Sequence, residues 1–205
     1  MNAIKPVLAL SAAVFLAACA GNAPVVQTEA RYDPATQARV RLYGQNQKPA
    51  RLISGIDCEH NRRGTAVSVG RSLGDAFGSF AGTGKSSSIG IPETEISRHI
   101  GERNGLMSRA LFREFTVAAG KPANVQSFYN GFSHTPNMMT PQPLYLIFHE
   151  GSCRSRLASF VPQAGRDYEV VGAAGRACGV AVFEVAADGS TQPVALQEAF
   201  RCRRR

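Results

Sequence analysis

Between residues 37 and 43 the apolar side chains Ala38, Val40 and Leu42 alternate with Arg39, Arg41 and Tyr43. A period of two marks a strand with one face on a core, so the pattern predicts a half-buried strand followed by a turn over 44–49. Shorter runs of the same character recur at 51–56, 65–69, 112–117, 123–129, 144–149, 156–161, 168–172, 179–185 and 193–200. Several are separated by turn sequences, among them Ala119-Gly120-Lys121-Pro122, Gln163-Ala164-Gly165 and Ala187-Asp188-Gly189. Many short strands punctuated by Gly and Pro, with no alternation of strand and helix, predict a mainly β fold. The expected architecture is a single antiparallel β-sandwich over 37–202.

The stretch 70–105 breaks this rhythm and reads as a Gly-rich, partly helical insertion. Gly70, Gly74, Gly78 and Gly82 recur every fourth residue, while Leu73, Ala76, Phe77 and Phe80 share a helical face. Ser72 and Asp75 match a capping box. A helix here would lay a smooth glycine strip beside an aromatic ridge, and Gly74, Gly78, Phe77 and Phe80 are then the candidate partner surface. The competing reading is a Gly/Ser loop, since 84–88 continues as one. Arg71 and Asp75 exclude an unassisted membrane span. Residues 92–104 predict a second helix, with Pro92 near its start, Ile96 and Ile100 on one face, and Asn104-Gly105 as its stop. Residues 106–111 fit helix or strand spacing equally.

Composition sets the scale. The chain has 205 residues, 44% of them hydrophobic and 19% charged, which suits one domain with one core. It carries 23 Lys and Arg against 15 Asp and Glu, a balance of +8.

The amino terminus has a different character. One lysine, Lys5, precedes an apolar run over 7–15 interrupted only by Ser11, then Leu16-Ala17-Ala18-Cys19. The run falls short of the roughly 20 apolar residues of a spanning helix and has the form of a secretory signal. The quartet ending in Cys19 resembles the lipobox of bacterial lipoproteins. The resemblance implies a signal peptide over 1–18, cleavage before Cys19, and lipidation of Cys19 by a diacylglycerol, with palmitate-type acylation of the new amino group. Several acyl chains anchor stably where a single one does not. Ala20 stands where an inner-membrane-retained lipoprotein commonly has aspartate, so the resemblance favours the outer membrane, facing the periplasm or the surface. The alternative is an ordinary secreted chain cut at the same bond after Ala18, with Cys19 left as an unpaired, unlipidated thiol. On the lipobox reading, residues 19–36 form a lipidated flexible tether. The segment from Phe160-Val161-Pro162 through Gly165 to Tyr168-Glu169-Val170-Val171 also resembles the strand-turn-strand of small β-sandwich envelope lipoproteins.

With Cys19 assigned to lipid, Cys58, Cys153, Cys178 and Cys202 remain, an even number in an oxidising compartment and hence two disulfides. Three connectivities are open; the flanks of an expected hairpin favour Cys178–Cys202 with Cys58–Cys153. Asp57-Cys58-Glu59-His60 gathers metal-ligand types, but no second spaced pair accompanies it, so a disulfide half beside a solvated loop histidine is the preferred reading and no metal or cofactor is expected.

Gly70-Arg71-Ser72-Leu73-Gly74 matches the G-x-S-x-G of a hydrolase nucleophile elbow, with Asp167 or Asp188 as orienting acids for Ser72. All four histidines precede both acids, which breaks the expected Ser, Asp, His order, and the every-fourth glycine supplies half the motif by itself. Gly84-Lys85-Ser86 lacks the earlier glycine of a phosphate loop, because position 79 is Ser79. The basic tail, Arg203 to Arg205 after Cys202, serves solubility or attracts lipid head groups and surface polymers; nucleic acid is not expected. Together these features predict a membrane-anchored envelope lipoprotein working as a noncatalytic scaffold or binding module for an envelope protein. The alternatives are a serine hydrolase of envelope esters through Ser72 and a self-associating structural lipoprotein.

Overall fold

A computed structural model describes residues 25–26, 32–45, 48–70, 85–104, 109–135, 147–173 and 178–202. The lipidation residue Cys19, the elbow serine Ser72, the surface formed by Gly74, Phe77, Gly78 and Phe80, and the basic tail 203–205 lie outside the described residues.

The chain is mainly β and builds a sandwich of two sheets. The strands are β1 (Val25–Val26), β2 (Gln37–Gln45), β3 (Ala50–Asp57), β4 (Arg62–Val69), β5 (Ser87–Ser88), β6 (Ala110–Ala118), β7 (Ala123–Gln126), β8 (Phe128–Thr135), β9 (Ile147–Arg154), β10 (Ala158–Phe160), β11 (Asp167–Ala173), β12 (Gly179–Val185), β13 (Thr191–Pro193) and β14 (Gln197–Glu198). Sheet one has the order β1-β5-β6-β2-β11-β12-β13, and sheet two the order β14-β10-β7-β3-β4. A separate hairpin pairs β8 with β9. Sheet two is antiparallel throughout. Sheet one is parallel where β2 meets β11 and where β5 meets β1 and β6, and antiparallel elsewhere.

The inner faces meet in one core. Ala38, Val40 and Leu42 of β2, Leu52 of β3, Val125 of β7, Phe160 of β10, and Tyr168 and Val170 of β11 are all buried there. The turns expected at 119–122, 163–165 and 187–189 stand where sequence placed them, with Gly120, Gly165 and Gly189 all at positive φ, whereas Gly44 and Gln45 of the turn expected over 44–49 belong to β2.

Four expectations about the secondary-structure elements are corrected. Strand β2 is not half-buried: Arg41 is 1% exposed and Tyr43 5%, because residues 85–104 lie over its outer face. The 92–104 helix is only α1 (Glu95–Arg98), a single turn capped reciprocally by Thr94 and Ser97, followed by a 3-10 turn at Ile100–Arg103. Ile96 and Ile100 still share a face, packing on the Tyr43, Phe112 and Val171 cluster of sheet one. The 193–200 strand is two short strands, β13 and β14, on different sheets. The run 123–129 divides at Ser127, whose amide donates to Ser155 Oγ at 2.9 Å rather than into a ladder.

The disulfides join Cys58 to Cys202 and Cys153 to Cys178, not the favoured pairs. Cys58 follows β3, and the chain end reaches it because β14 docks on β10 in the same sheet. Cys153 on β9 meets Cys178 at the entry to β12, a proximity between hairpins that no local pattern encodes.

Candidate functional site

The outer face of sheet one carries three cross-strand rows fixed by register. Thr116 of β6, Arg39 of β2 and Asp167 of β11 form one; Glu114, Arg41 and Glu169 form the next. Phe112 and Tyr43, with ring centroids 5.6 Å apart, lead the third. Charged residues at alternate positions on strands normally face water. Here the segment from Ser88 to Thr94 crosses over them, so each charge must find a partner inside the protein.

Glu114 is held completely. Its Oε2 accepts from Ser88 Oγ at 2.8 Å and from the amides of Ile89, Gly90 and Ile91 at 2.7, 3.1 and 3.2 Å. Its Oε1 stands 2.7 Å from Arg41 Nη2 and accepts from Nε at 2.9 Å. The remaining guanidinium hydrogens reach back to the same segment, Nη2 to the Ile91 carbonyl at 2.8 Å and Nη1 to the Pro92 carbonyl at 3.0 Å. The pair therefore pins the crossing segment by both its donors and its acceptors. In the neighbouring row, Arg39 grips Asp167 through two bonds of 2.7 and 2.6 Å.

Glu169 is different. Its Oε2 accepts from Thr94 Oγ1 at 2.7 Å and from the Tyr43 hydroxyl at 3.1 Å, with Arg41 Nη1 3.9 Å away. Its Oε1 is buried with no hydrogen-bond partner among the described residues. Burial, and after it the Glu169 charge, pushes the Tyr43 hydroxyl far above its ordinary pKa, so Tyr43 serves as a donor and not as an acid. Glu169 also lines a cleft of about 340 Å³ between α1 and the turn before β13.

On the opposite face of the sandwich, a groove of about 740 Å³ runs along sheet two. Ile53, Ile56 and Phe200 provide apolar walls, Asn61 and Asn124 amides, and Arg63 and Arg201 charge. The chain end is fixed there by the Cys58–Cys202 bond and by Asn124, whose side-chain amide bonds both the amide and the carbonyl of Phe200 at 2.9 Å. Phe200 is nonetheless 40% exposed, an anchored aromatic that faces the groove instead of the core.

At the adjacent hairpin, Asp57, Glu59 and His60 present oxygen and nitrogen atoms within 4.8 Å of one another. Asp57 is already engaged, with Oδ2 at 2.5 Å from Lys121 Nζ and 2.9 Å from His60 Nδ1. The Lys121 bond, then the His60 amide, holds its carboxyl well below the usual carboxylate range. With Cys58 in a disulfide and an ammonium on the carboxylate, this cluster is a charge-paired turn whose cation comes from the protein itself.

The residues invoked for an elbow divide the same way. Asp167 is committed to Arg39, and Asp188 accepts from the amide and hydroxyl of Ser190 at 2.9 and 2.7 Å, which lowers its pKa as a turn cap. Gly70, the first residue of the motif, has φ +88°, and a Cβ there would stand 2.1 Å from the Gln45 carbonyl oxygen. That contact accounts for the glycine by packing alone.

Sequence reasoning missed Arg41, Glu114 and Glu169. The available signal was Arg-x-Arg on one strand matched by Asp-x-Glu on another, two like-spaced charged faces of opposite sign. The chain matches no protein-family model, no curated protein and no solved structure, so the case for function stands on its own residues.

Proposed function

We propose that the protein is a lipid-anchored lipoprotein of the cell envelope, tethered to the outer membrane through Cys19, whose β-sandwich is a noncatalytic binding module for another envelope protein. The observation that carries the reading is the groove of about 740 Å³ along sheet two. Its lining brings together Phe200, an exposed aromatic two residues before the Cys58–Cys202 disulfide, with Ile53 and two arginines. Aromatic and arginine side chains around a concave apolar floor are the composition from which interface hot spots are built. Arg63 and Arg201 against the single acid Glu59 favour an acidic partner segment with an apolar side chain at its centre.

The anchor is tested by labelling with a palmitate analogue, which Cys19→Ser should abolish. The module is tested by placing a photo-crosslinking residue at Phe200 in intact cells, with Val161, which is 50% exposed, as the control position. A discrete adduct from position 200 alone, lost when Arg63 and Arg201 are both changed to Glu, is the expected result. Equal crosslinking from both positions would overturn the assignment, and a fluorophosphonate label lost in Ser72→Ala would move the protein to the hydrolases.

A further inference from the structure

We propose that the cleft between α1 and the turn before β13, with Glu169 at its floor, binds a primary alkylammonium group, the chemistry of a lysine side chain or a free diamine. The site is separate from the groove on sheet two and does not depend on it.

The buried row is unbalanced in charge. Glu114, Arg41 and Glu169 are adjacent through strand register, formally two carboxylates about one guanidinium. Arg41 is spent: its close contacts go to Glu114 and to the Ile91 and Pro92 carbonyls, and Glu169 Oε2 stands 3.9 Å from it. Glu169 takes two neutral donors on Oε2 and none on Oε1, although the residue is 0% exposed. Buried carboxyl groups are ordinarily paired and hydrogen-bonded on both oxygens. An orphan acceptor on a residue that lines a cleft is the arrangement a cationic donor would complete.

The cleft has matching walls. Glu95 and Asp188 bring two further carboxylates to its rim; Glu95 is shared with Arg98 at 3.1 Å and His99 at 2.9 Å, while Asp188 takes Ser190 on Oδ1 and carries no basic partner among the described residues. Ile96 supplies an apolar wall along which a methylene stem can lie, while Thr191 contributes to the opposite side. The two walls belong to one packed unit, since a Cβ on Gly189 would stand 2.1 Å from the Glu93 carbonyl oxygen. The volume of about 340 Å³ admits a short amine and not a folded domain.

The donor set also decides the kind of cation. Hard divalent metals need several oxygens converging on one point. Among the described residues, the only group of three ligand types that close is Asp57, Glu59 and His60. Carboxylates spread around a cleft instead suit a compact three-hydrogen donor on an apolar stem, which takes one bond at the floor and is attracted by the charges above.

The test titrates the full chain in detergent, by calorimetry and amide NMR, with 1,5-diaminopentane and with Nα-acetyl-lysine methylamide. The acetyl-norleucine methylamide analogue serves as the uncharged control. Saturable binding of at least one amine is expected, with amide shifts confined to 94–98 and 188–191, and at least tenfold weaker binding in Glu169→Gln. Asp188→Asn, at an exposed rim position, should weaken binding threefold or more, and it keeps the test decisive if Glu169→Gln melts far below the parent. Glu198→Gln, at an exposed position of β14 outside both the cleft and the groove, should bind as the parent does. Tighter binding of the lysine derivative assigns the site to a polypeptide partner, and tighter binding of the diamine assigns it to a free polyamine. Absence of saturable binding, equal affinity for the norleucine analogue, or binding indifferent to both Glu169→Gln and Asp188→Asn would overturn the proposal.

Discussion

Replacing Glu114 by Gln should be among the most damaging single changes available to this chain, although it alters one heavy atom and almost no volume. In the parent, Oε2 takes four donors and Oε1 faces the Arg41 guanidinium, with both side chains essentially unexposed. Glutamine has one acceptor oxygen and one donor nitrogen. Whichever way the amide is turned, its nitrogen points either at Arg41 or at the backbone amides of 89–91, setting donor against donor. Arg41 is also left in the interior with only the more distant Glu169 to balance it. Removing one partner of a buried pair costs about 3–5 kcal/mol, because the survivor stays uncompensated. For a chain of this length each kcal/mol moves the melting temperature by roughly 2–4 °C, so a cost near 4 kcal/mol predicts a fall on the order of 8–16 °C. Thermal unfolding followed by circular dichroism, with the disulfides intact, measures it. Hydrogen exchange should show loss of protection first at 89–91, where the amides lose their acceptor. The paired change Arg41→Met with Glu114→Leu removes the lone charge and should recover part of the loss, but not all, since the four donors remain. A fall of less than about 2 °C for Glu114→Gln, or full recovery in the double variant, would refute the clamp.

Two further outcomes follow from the geometry. Asp57 has its pKa lowered first by Lys121, so its contribution to stability is complete above the unfolded carboxyl value of about 4 and drains away as pH falls towards the lower folded value. Asp57→Asn should therefore be less stable than the parent in urea at neutral pH, with the gap closing as the solution is acidified below about pH 4; a gap constant with pH would contradict the pairing. Gly70→Ala should cost about 2 kcal/mol or more, because its φ of +88° and the Gln45 carbonyl both oppose a side chain, whereas Gly101→Ala, with open space around its Cβ, should be near neutral. Equal melting temperatures for the two variants would show that the close approach is not maintained.

Much of the fold was legible because it is local. Alternation at Ala38, Val40 and Leu42 follows from a strand's period of two, and Gly120, Gly165 and Gly189 mark turns because only glycine enters positive φ cheaply. The capping residue Thr94 and the shared face of Ile96 and Ile100 belong to the same class, even though the helix there proved to be a single turn. The site was not legible in this way. Arg41, Glu114 and Glu169 read as the wet side of strands, and their burial depends on a segment about 20–50 residues away in sequence from two of them and farther from the third folding across the sheet.

By itself, then, the order of residues determined which stretches extend, where they turn, and that Cys58, Cys153, Cys178 and Cys202 are even in number. Only the tertiary structure decided which sulfurs meet, since pairing depends on strand order across two sheets and not on spacing along the chain. It alone likewise turned the alternating charges of sheet one into a closed lattice and left Glu169 with an unmatched oxygen, because a charge becomes costly or useful only when something covers it.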